Sequence, residues 1–204
     1  MPEPSRRPEH PALPDRARQV GTLITLAPAA STLSHLLRSA IDAEQVGATR
    51  IHLASDQQEI VPVIAGLRRQ TDLVITIALD HPAAELVDRM PADFSEVVLD
   101  EGPDDVDLVA EVVRIDREHP AHVSLAGRGR AGLPVLFAAL AVGAHLRVGT
   151  ADTPANPIRQ DLTDDPRTVG RDDAALVARA SGLARLAGRP PLDAAAARAW
   201  WRVG

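Results

Sequence analysis

Short apolar segments recur along the chain, and their starts lie roughly 22 to 28 residues apart, the size of one strand, one helix and two loops. Segments rich in Val, Ile and Leu predict β-strands. Several of them are apolar on both faces, as is typical of parallel strands that helices cover on each side. The predicted strands are Thr22–Ala27, Arg50–Ala54, Leu73–Leu79, Glu96–Asp100, His122–Ala126 and His145–Gly149.

The stretches between these strands carry apolar residues at helical spacing, which predicts amphipathic helices. The clearest are Ser31–Val46, Asp104–Arg117, Asp172–Ala187 and a short helix at Ala194–Trp201. Alternation of six strands with helices predicts an α/β fold, either an open doubly wound sheet or a (β/α) barrel. In both folds, functional side chains gather at the carboxyl ends of the strands.

The amino end differs from the rest of the chain. Residues 1–20 are rich in proline and charge and lack the apolar stretch of a signal peptide, so we expect a flexible leader. Residues 21–204 then form a single domain, the usual count for this length. No apolar run approaches the ~18 residues of a transmembrane helix, and the net charge of −6 disfavours a nucleic-acid surface. These features predict a cytoplasmic protein with no membrane or nucleic-acid partner.

Composition restricts the chemistry that the chain can perform. It has no cysteine, and its 22 basic residues are all arginine. Thiolate nucleophiles, cysteine-bound metals and lysine Schiff bases are therefore excluded. Any catalysis must rely on His, Asp, Glu, Arg, Ser, Thr, the backbone or a metal ion.

Most polar residues with chemical potential follow the predicted strands. Each has a structural alternative, because a histidine in an apolar strand is commonly a core residue and a polar residue after a strand commonly caps the next helix. The candidates are His52, Asp80, His81, Asp100, Glu101, Arg147 and Asp152. The Gly127–Gly132 stretch lacks the spacing of a dinucleotide fingerprint, but its arginines could hold a phosphate or carboxylate.

One of these segments resembles a known family. Residues 143–152 (GAHLRVGTAD) resemble the motif G-G-H-h-R-h-G-h-E-D of the beta-keto acid cleavage enzymes, where h is an apolar position. That family includes the 3-keto-5-aminohexanoate cleavage enzyme. The resemblance extends to residues 125–130, to the stretch from residue 156 to 200, and to residues 23–28 and 47–53. It therefore covers most of the chain beyond residue 20.

The resemblance implies a zinc-dependent TIM barrel that transfers an acyl group between a β-keto acid and acetyl-CoA, which is the family's co-substrate. Zinc would polarise the oxygens of the keto acid during carbon–carbon cleavage. By the same resemblance, Arg147 and Asp152 match the family's catalytic arginine and aspartate, and His52 matches its first zinc ligand.

Two of the family's three zinc ligands are replaced in this sequence. The second histidine of the His-x-His pair is Ala54, and the glutamate of the Glu-Asp pair is Ala151. An alanine methyl group cannot bind a metal. The resemblance therefore makes zinc binding by this chain doubtful.

The family's barrel has eight βα units, whereas this shorter chain has about six. We place the two missing units between the fourth strand and the strand at His122–Ala126. A six-stranded remnant of an eight-stranded barrel would leave two unpaired edges, which proteins rarely leave bare. We therefore expect either a smaller or distorted barrel, or pairing with a second copy in a homo-oligomer.

Three functional hypotheses follow. The first is a degenerate family member that has lost the cleavage reaction and binds a small carboxylate, a β-keto acid or a protein partner. The second is an active acyltransferase or lyase with a rebuilt metal site formed by His52, Asp80, His81 and Asp152. The third is a metal-free lyase or isomerase in which Asp152 is the base and Arg147 holds a carboxylate.

Overall fold

The computed structural model describes residues 21–29, 32–54, 60–78, 81–100, 105–118, 122–152 and 169–203. Within these residues, six strands alternate with helices in an α/β order. The strands are β1 (Ile24–Leu26), β2 (Arg50–Leu53), β3 (Val74–Ile77), β4 (Phe94–Leu99), β5 (His122–Gly127) and β6 (His145–Val148). The helices are α1 (Leu33–Gln45), α2 (Ile60–Gln70), α3 (Asp105–Glu118), α4 (Gly132–Val142), α5 (Val169–Leu186) and α6 (Ala194–Val203). The expected leader at residues 1–20 lies outside the described residues.

All six strands join one parallel sheet in the order β3-β2-β1-β6-β5-β4. The first and last strands are adjacent, with Thr25 opposite Arg147, as they are in a closed (β/α) barrel. The sheet curls into a half-barrel. The predicted fold class, a TIM-barrel-like repeat reduced to about six units, is confirmed.

The break in the sheet lies between β3 and β4, which do not pair within the described residues. We expected the missing units between the fourth strand and His122–Ala126, and that placement is wrong. β4 and β5 pair along their whole length, from Phe94 opposite His122 to Leu99 opposite Gly127, and α3 connects them in the ordinary way. The described residues between β3 and β4 form only a 3₁₀ turn at Ala84–Leu86 where a crossover helix was expected.

The free edge of β3 is covered by the segment that follows it. The backbone N–H of Ile75 donates to the Asp88 carboxylate at 2.8 Å, and the Ile75 carbonyl accepts from the Asp88 N–H at 2.7 Å. Asp88 thus satisfies the two backbone groups of Ile75 that a neighbouring strand would bind. The expected closure by a smaller barrel is not observed in the described part of the chain, and pairing with a second copy stays a prediction.

The two faces of the sheet differ in chemistry because side chains alternate along each strand. Outward residues such as Ile51, Leu125 and Leu146 are fully buried against the helices and form the aliphatic core. Inward residues are mostly polar. They include Thr25, Arg50, Thr76, Ser124 and His145, all at most 1 % exposed.

The amino-terminal end of the half-barrel is filled by α6. Trp200 packs edge-on to the rings of His122 and His145, and Trp201 packs against Phe94. The Trp201 indole N–H donates to the Arg89 carbonyl at 2.9 Å. Because this end is filled by aromatic rings, the open end of the half-barrel lies at the carboxyl ends of the strands. Among the described helices, none has the length and apolar character needed to cross a bilayer.

Candidate functional site

The residues singled out in the last strand and its following turn lie together at the carboxyl end of the half-barrel. Arg147 extends inward from β6, and its Nε and Nη2 donate to the two oxygens of Asp152 at 2.9 and 3.1 Å. The Asp152 carboxylate is almost fully buried and the Arg147 side chain is 14 % exposed. Charge-assisted bidentate pairs of this kind fix the orientation of both side chains.

The turn that carries Asp152 is held against β1. The backbone around Gly149 lies so close to Ala27 that a Cβ at residue 149 would stand 2.0 Å from the Ala27 carbonyl oxygen. The N–H of Ala151 donates to that same carbonyl at 3.1 Å. Only glycine allows this approach. The match of Gly149 to the family motif therefore has a physical cause in the position of the turn.

A carboxylate on α5 anchors the same turn from the other side. Asp173, which is 1 % exposed, accepts the N–H of Thr150 at 2.8 Å through Oδ1 and the hydroxyl of Ser39 through Oδ2. Thr150 in turn accepts the N–H of Ala29 at 2.9 Å. Asp173 thus links α1, α5 and the β6 turn. The sequence places Asp173 in a predicted helix and in a stretch that resembles the family, but not in a site, because its role depends on a contact between residues 134 positions apart.

His52 lies on the inward face of β2 and is part of a polar network. Its Nδ1 stands 3.2 Å from Thr76 Oγ1, 3.4 Å from an Arg50 nitrogen and 3.4 Å from Glu96 Oε2. The pKa of His52 is lowered from 6.5 to about 4, chiefly by burial; the charges of Arg50 and Arg147 act in the same direction, whereas those of Glu96 and Asp152 oppose the shift. His52 is therefore neutral at neutral pH.

The network is centred on an ion pair that the sequence analysis missed. Arg50 donates to both oxygens of Glu96, at 2.8 and 2.9 Å, and also to Thr76 at 2.9 Å and Thr25 at 3.3 Å. Its guanidinium lies 5.0 Å from the centre of the Phe94 ring and 4.7 Å from that of Trp201. Arg50 is fully buried. One signal was present in the sequence, because Arg50 stands two residues before His52 and so shares its inward face.

Glu96 connects the two arginines. Beside its bidentate contact with Arg50, its Oε2 lies 3.7 Å from an Arg147 nitrogen. Burial acts to raise the pKa of Glu96, but the charge and hydrogen bonds of Arg50, together with the charge of Arg147, hold that pKa below its usual range. Asp152, Arg147, Glu96 and Arg50 therefore form a line of alternating charges across the interior.

A pocket opens beside this line, between the carboxyl ends of β5 and β6 and the helices α4 and α5. Its volume is about 220 Å³. The described residues that line it combine glycines of the β5 turn, four apolar side chains, three arginines and one aspartate. They are Gly127, Gly129, Arg130, Gly132, Leu133, Leu136, Arg147, Val148, Asp152, Leu176 and Arg179.

The other candidates are not brought to this pocket. His81 accepts the N–H of Ala83 at 3.0 Å, so it caps its own turn. Asp100 is exposed and pairs with Arg128 at 3.0 Å. Asp80 and Glu101 lie outside the described residues. Of the arginines in the Gly127–Gly132 stretch, only Arg130 lines the pocket.

Comparison with known proteins identifies the family. The model of the beta-keto acid cleavage enzyme family matches residues 95–202, which is more than half of the chain. The chain belongs to this family. A search of curated protein sequences finds no match.

Two solved structures show how far the likeness of fold extends. (S)-3-O-geranylgeranylglyceryl phosphate synthase from Thermoplasma acidophilum is 13 % identical, with 83 % of this chain and 97 % of that chain covered and a TM-score of 0.44. TrmJ from Z. mobilis ZM4 is 17 % identical, with 79 % and 67 % covered and a TM-score of 0.27. Neither likeness is close enough to bear on the function of this chain.

The side chains at the family's zinc positions do not fit a zinc ion in this member. His52 is present, but Ala54 and Ala151 supply no donor, and the Glu96 carboxylate that lies 3.4 Å from His52 is bound by Arg50. Zinc sites in proteins use three or four donors. Within the described ranges, no group of three or more histidine, aspartate and glutamate side chains is placed to hold a metal.

Proposed function

We propose that this member of the beta-keto acid cleavage enzyme family binds a small carboxylate ligand and lacks the family's zinc-dependent carbon–carbon cleavage. The observation that carries the proposal is the replacement of two zinc donors by Ala54 and Ala151 in a chain that keeps Arg147 and Asp152. Without the metal, the charge that develops on the keto acid during cleavage has no Lewis acid to stabilise it.

The filling of the half-barrel supports the same proposal. Glu96 on β4 reaches Arg50 on β2, and their side chains occupy the interior together with Thr25 and Thr76. This ion pair is satisfied by its own hydrogen bonds and by ring contacts, so the interior offers little room or free charge to a substrate. Among the described residues, the pocket beside Arg147 provides an opening at this carboxyl end.

The loss of the metal site is tested by zinc analysis of the purified full-length chain after incubation with zinc and removal of the excess. We expect a zinc content well below one ion per chain, and the same content in the His52→Ala variant. One ion per chain in the unmodified protein, lost in His52→Ala, would favour the rebuilt metal site over this proposal.

The loss of the reaction and the retention of binding are tested together. We expect acetoacetate, the acid that the family releases, to bind and to raise the melting temperature, because a ligand that binds only the folded state stabilises it. Acetyl-CoA and a β-keto acid should give no acyl transfer above the rate without protein. Robust transfer, or the absence of any β-keto acid binding, contradicts the proposal.

One observation keeps the metal-free lyase or isomerase as a second candidate. Asp152 and Arg147 both line the pocket, so a bound keto acid could meet a carboxylate base and a cation at once. The discriminating measurement is exchange of the α-protons of a β-keto acid with deuterated solvent. Our proposal expects the same slow exchange with the unmodified protein and with Asp152→Asn, whereas dependence on Asp152 favours the second candidate.

A further inference from the structure

The helix α4 carries no polar or charged side chain along its 11 residues. A helix that is apolar all round is normally covered on every side. One side of α4 packs on β5 and β6, but Leu133, Phe137 and Ala141, which are spaced about one turn apart, are exposed. We propose that this outer side of the half-barrel is the interface with a second copy of the chain.

The exposed apolar surface extends from α4 to the helices on either side. Among the described residues, seven large hydrophobic side chains are exposed, and five of them lie on these three neighbouring helices. The five are Val106 and Val109 on α3, Leu133 and Phe137 on α4, and Leu186 on α5. We call the surface that they form the α3–α4–α5 face.

A groove of about 800 Å³ opens on the same face, near the carboxyl ends of the three helices. Phe137 and Leu140 line it from α4, Leu183 and Leu186 from α5, and Val113 from α3. The exposed ridge of α4 therefore lies directly beside a groove with apolar walls. A two-fold arrangement can set the ridge of each copy against the groove of the other, so the face is complementary to itself.

The charges around the groove also suit a second copy better than a strongly charged partner. Asp116 and Arg117 are neighbours on α3 and contribute one charge of each sign. Arg189 donates to the carbonyls of Gly143 and Ala144 at 2.7 and 2.8 Å. A face with charges of one sign would repel its own copy, whereas sparse charges of both signs allow two identical faces to meet.

The size of the face is comparable with what a stable dimer buries. Its five large side chains are between 44 % and 86 % exposed, and together they present apolar surface on the order of 500 Å². The partly exposed residues of the groove extend this surface towards the ~800 Å² per partner of a standard interface. Monomeric proteins rarely expose a contiguous apolar patch of this extent. Interfaces between copies of one chain are also more apolar than those between transient partners.

This interface differs from pairing at the edges of the sheet. The helix α4 packs behind β5 and β6, whereas the free edges belong to β3 and β4. Association through the α3–α4–α5 face therefore needs no strand of another chain. It is also independent of the proposed function, because neither the former zinc positions nor Asp152 takes part.

Sedimentation velocity of the full-length chain over a dilution series is the first test. We expect the unmodified chain to form a dimer. Phe137→Glu places a charge near the centre of the face and should raise the dissociation constant by at least about 30-fold, the effect of losing a central aromatic anchor. Val61→Glu is the matched control, because Val61 on α2 is 54 % exposed and Phe137 is 55 % exposed. It should leave the dissociation constant unchanged.

Cross-linking tests the same face without removing its aromatic side chain. The chain has no cysteine, so a single introduced cysteine reports only on its own surroundings. With a bismaleimide linker, Ala141→Cys should give a covalent dimer, because residues near a two-fold axis lie close to their own copies. Val61→Cys should give none. Fluorescence of Trp200 and Trp201, which pack at the amino-terminal end of the half-barrel, shows whether each variant is folded.

Each other outcome overturns the inference. A chain that sediments as a monomer throughout the dilution series shows that the face does not bind a second copy. A dimer that survives in folded Phe137→Glu, or that Val61→Glu weakens to the same extent, has its interface elsewhere. Cross-linking through Val61→Cys and not through Ala141→Cys leads to the same conclusion.

Discussion

The interior of the half-barrel and the pocket at its rim hold the same types of charged residue in opposite arrangements. In the interior, Arg50 and Glu96 neutralise each other within a closed set of hydrogen bonds. At the rim, arginines outnumber carboxylates among the described lining residues, and the walls are apolar. The interior charges are therefore closed off by their own hydrogen bonds, whereas the rim pocket sets charged side chains beside apolar walls.

The largest expected effect of a substitution is in the interior. Glu96→Gln leaves the Arg50 guanidinium buried without its counter-charge, which typically costs about 3–5 kcal/mol of unfolding free energy. The measurement is urea unfolding at neutral pH. The double variant Arg50→Met with Glu96→Leu should recover most of this loss, because it removes both charges. A loss below about 1 kcal/mol in Glu96→Gln would mean that the ion pair is not a structural element.

The anchor between interior and rim should give the next largest effect. Asp173→Ala leaves the N–H of Thr150 and the hydroxyl of Ser39 without their shared acceptor, and we expect a loss of about 2–3 kcal/mol. Ser39→Ala, which removes one of the two contacts, should cost less. Urea unfolding measures both, and binding of acetoacetate should also weaken in Asp173→Ala because the turn carrying Asp152 loosens. Equal costs for the two variants would contradict this anchoring role.

The pH dependence of stability provides a third test of the interior. The pKa of His52 is about 4 in the folded chain and 6.5 when unfolded, so the unfolded state binds more protons between these values. The free energy of unfolding should therefore fall by about 2 kcal/mol from pH 7 to pH 5 through this residue and be insensitive to it above pH 7. His52→Gln should remove that part of the slope.

Glu96 acts at lower pH with the same sign. Its pKa lies below 4.5 in the folded chain, so the stability that it contributes is present above that value and is lost as the pH falls through the folded pKa. Glu96 therefore contributes little between pH 7 and pH 5, and the difference between the unmodified protein and His52→Gln over this range separates His52 from other groups, such as Glu44, whose pKa burial raises. If the unmodified protein and His52→Gln lose stability in parallel over this range, His52 is not held neutral by burial.

The smallest expected change in stability is at the rim. Arg179→Gln should leave the free energy of unfolding within about 0.5 kcal/mol of that of the unmodified chain, as is usual for exposed side chains. A loss of stability as large as that of Glu96→Gln would remove the distinction between the two regions.

Much of the fold could be predicted from the sequence because the strands are short apolar segments and most helices carry apolar residues at helical spacing. Predicted and observed strand ends differ by at most two residues, as for Glu96–Asp100 against Phe94–Leu99. The position of the break in the sheet could not be predicted. It depends on which strands pair with each other. The distance along the chain between successive strands is similar whether the two missing strands would have followed β3 or β4.

The site could be predicted only in part. The segment around Arg147 was visible because a contiguous motif carries it, whereas the pairing of Arg50 with Glu96 depends on how far the sheet curls across 46 residues of chain. Arg179 lies in an alanine-rich helix, where an arginine usually indicates a solvated face. The catalytic roles of Arg147 and Asp152, homo-oligomerisation and a cytoplasmic location stay predictions.

The backbone contacts of Asp88 on the edge of β3 have a consequence for association between chains. An open parallel sheet offers its last strand as a template on which a segment of another molecule can add, and repetition of that step leads to aggregates. The N–H and the carboxylate of Asp88 bind the backbone groups of Ile75, which such a segment would otherwise bind. A single loop residue thus removes one position at which a segment of another chain could extend the sheet beyond β3.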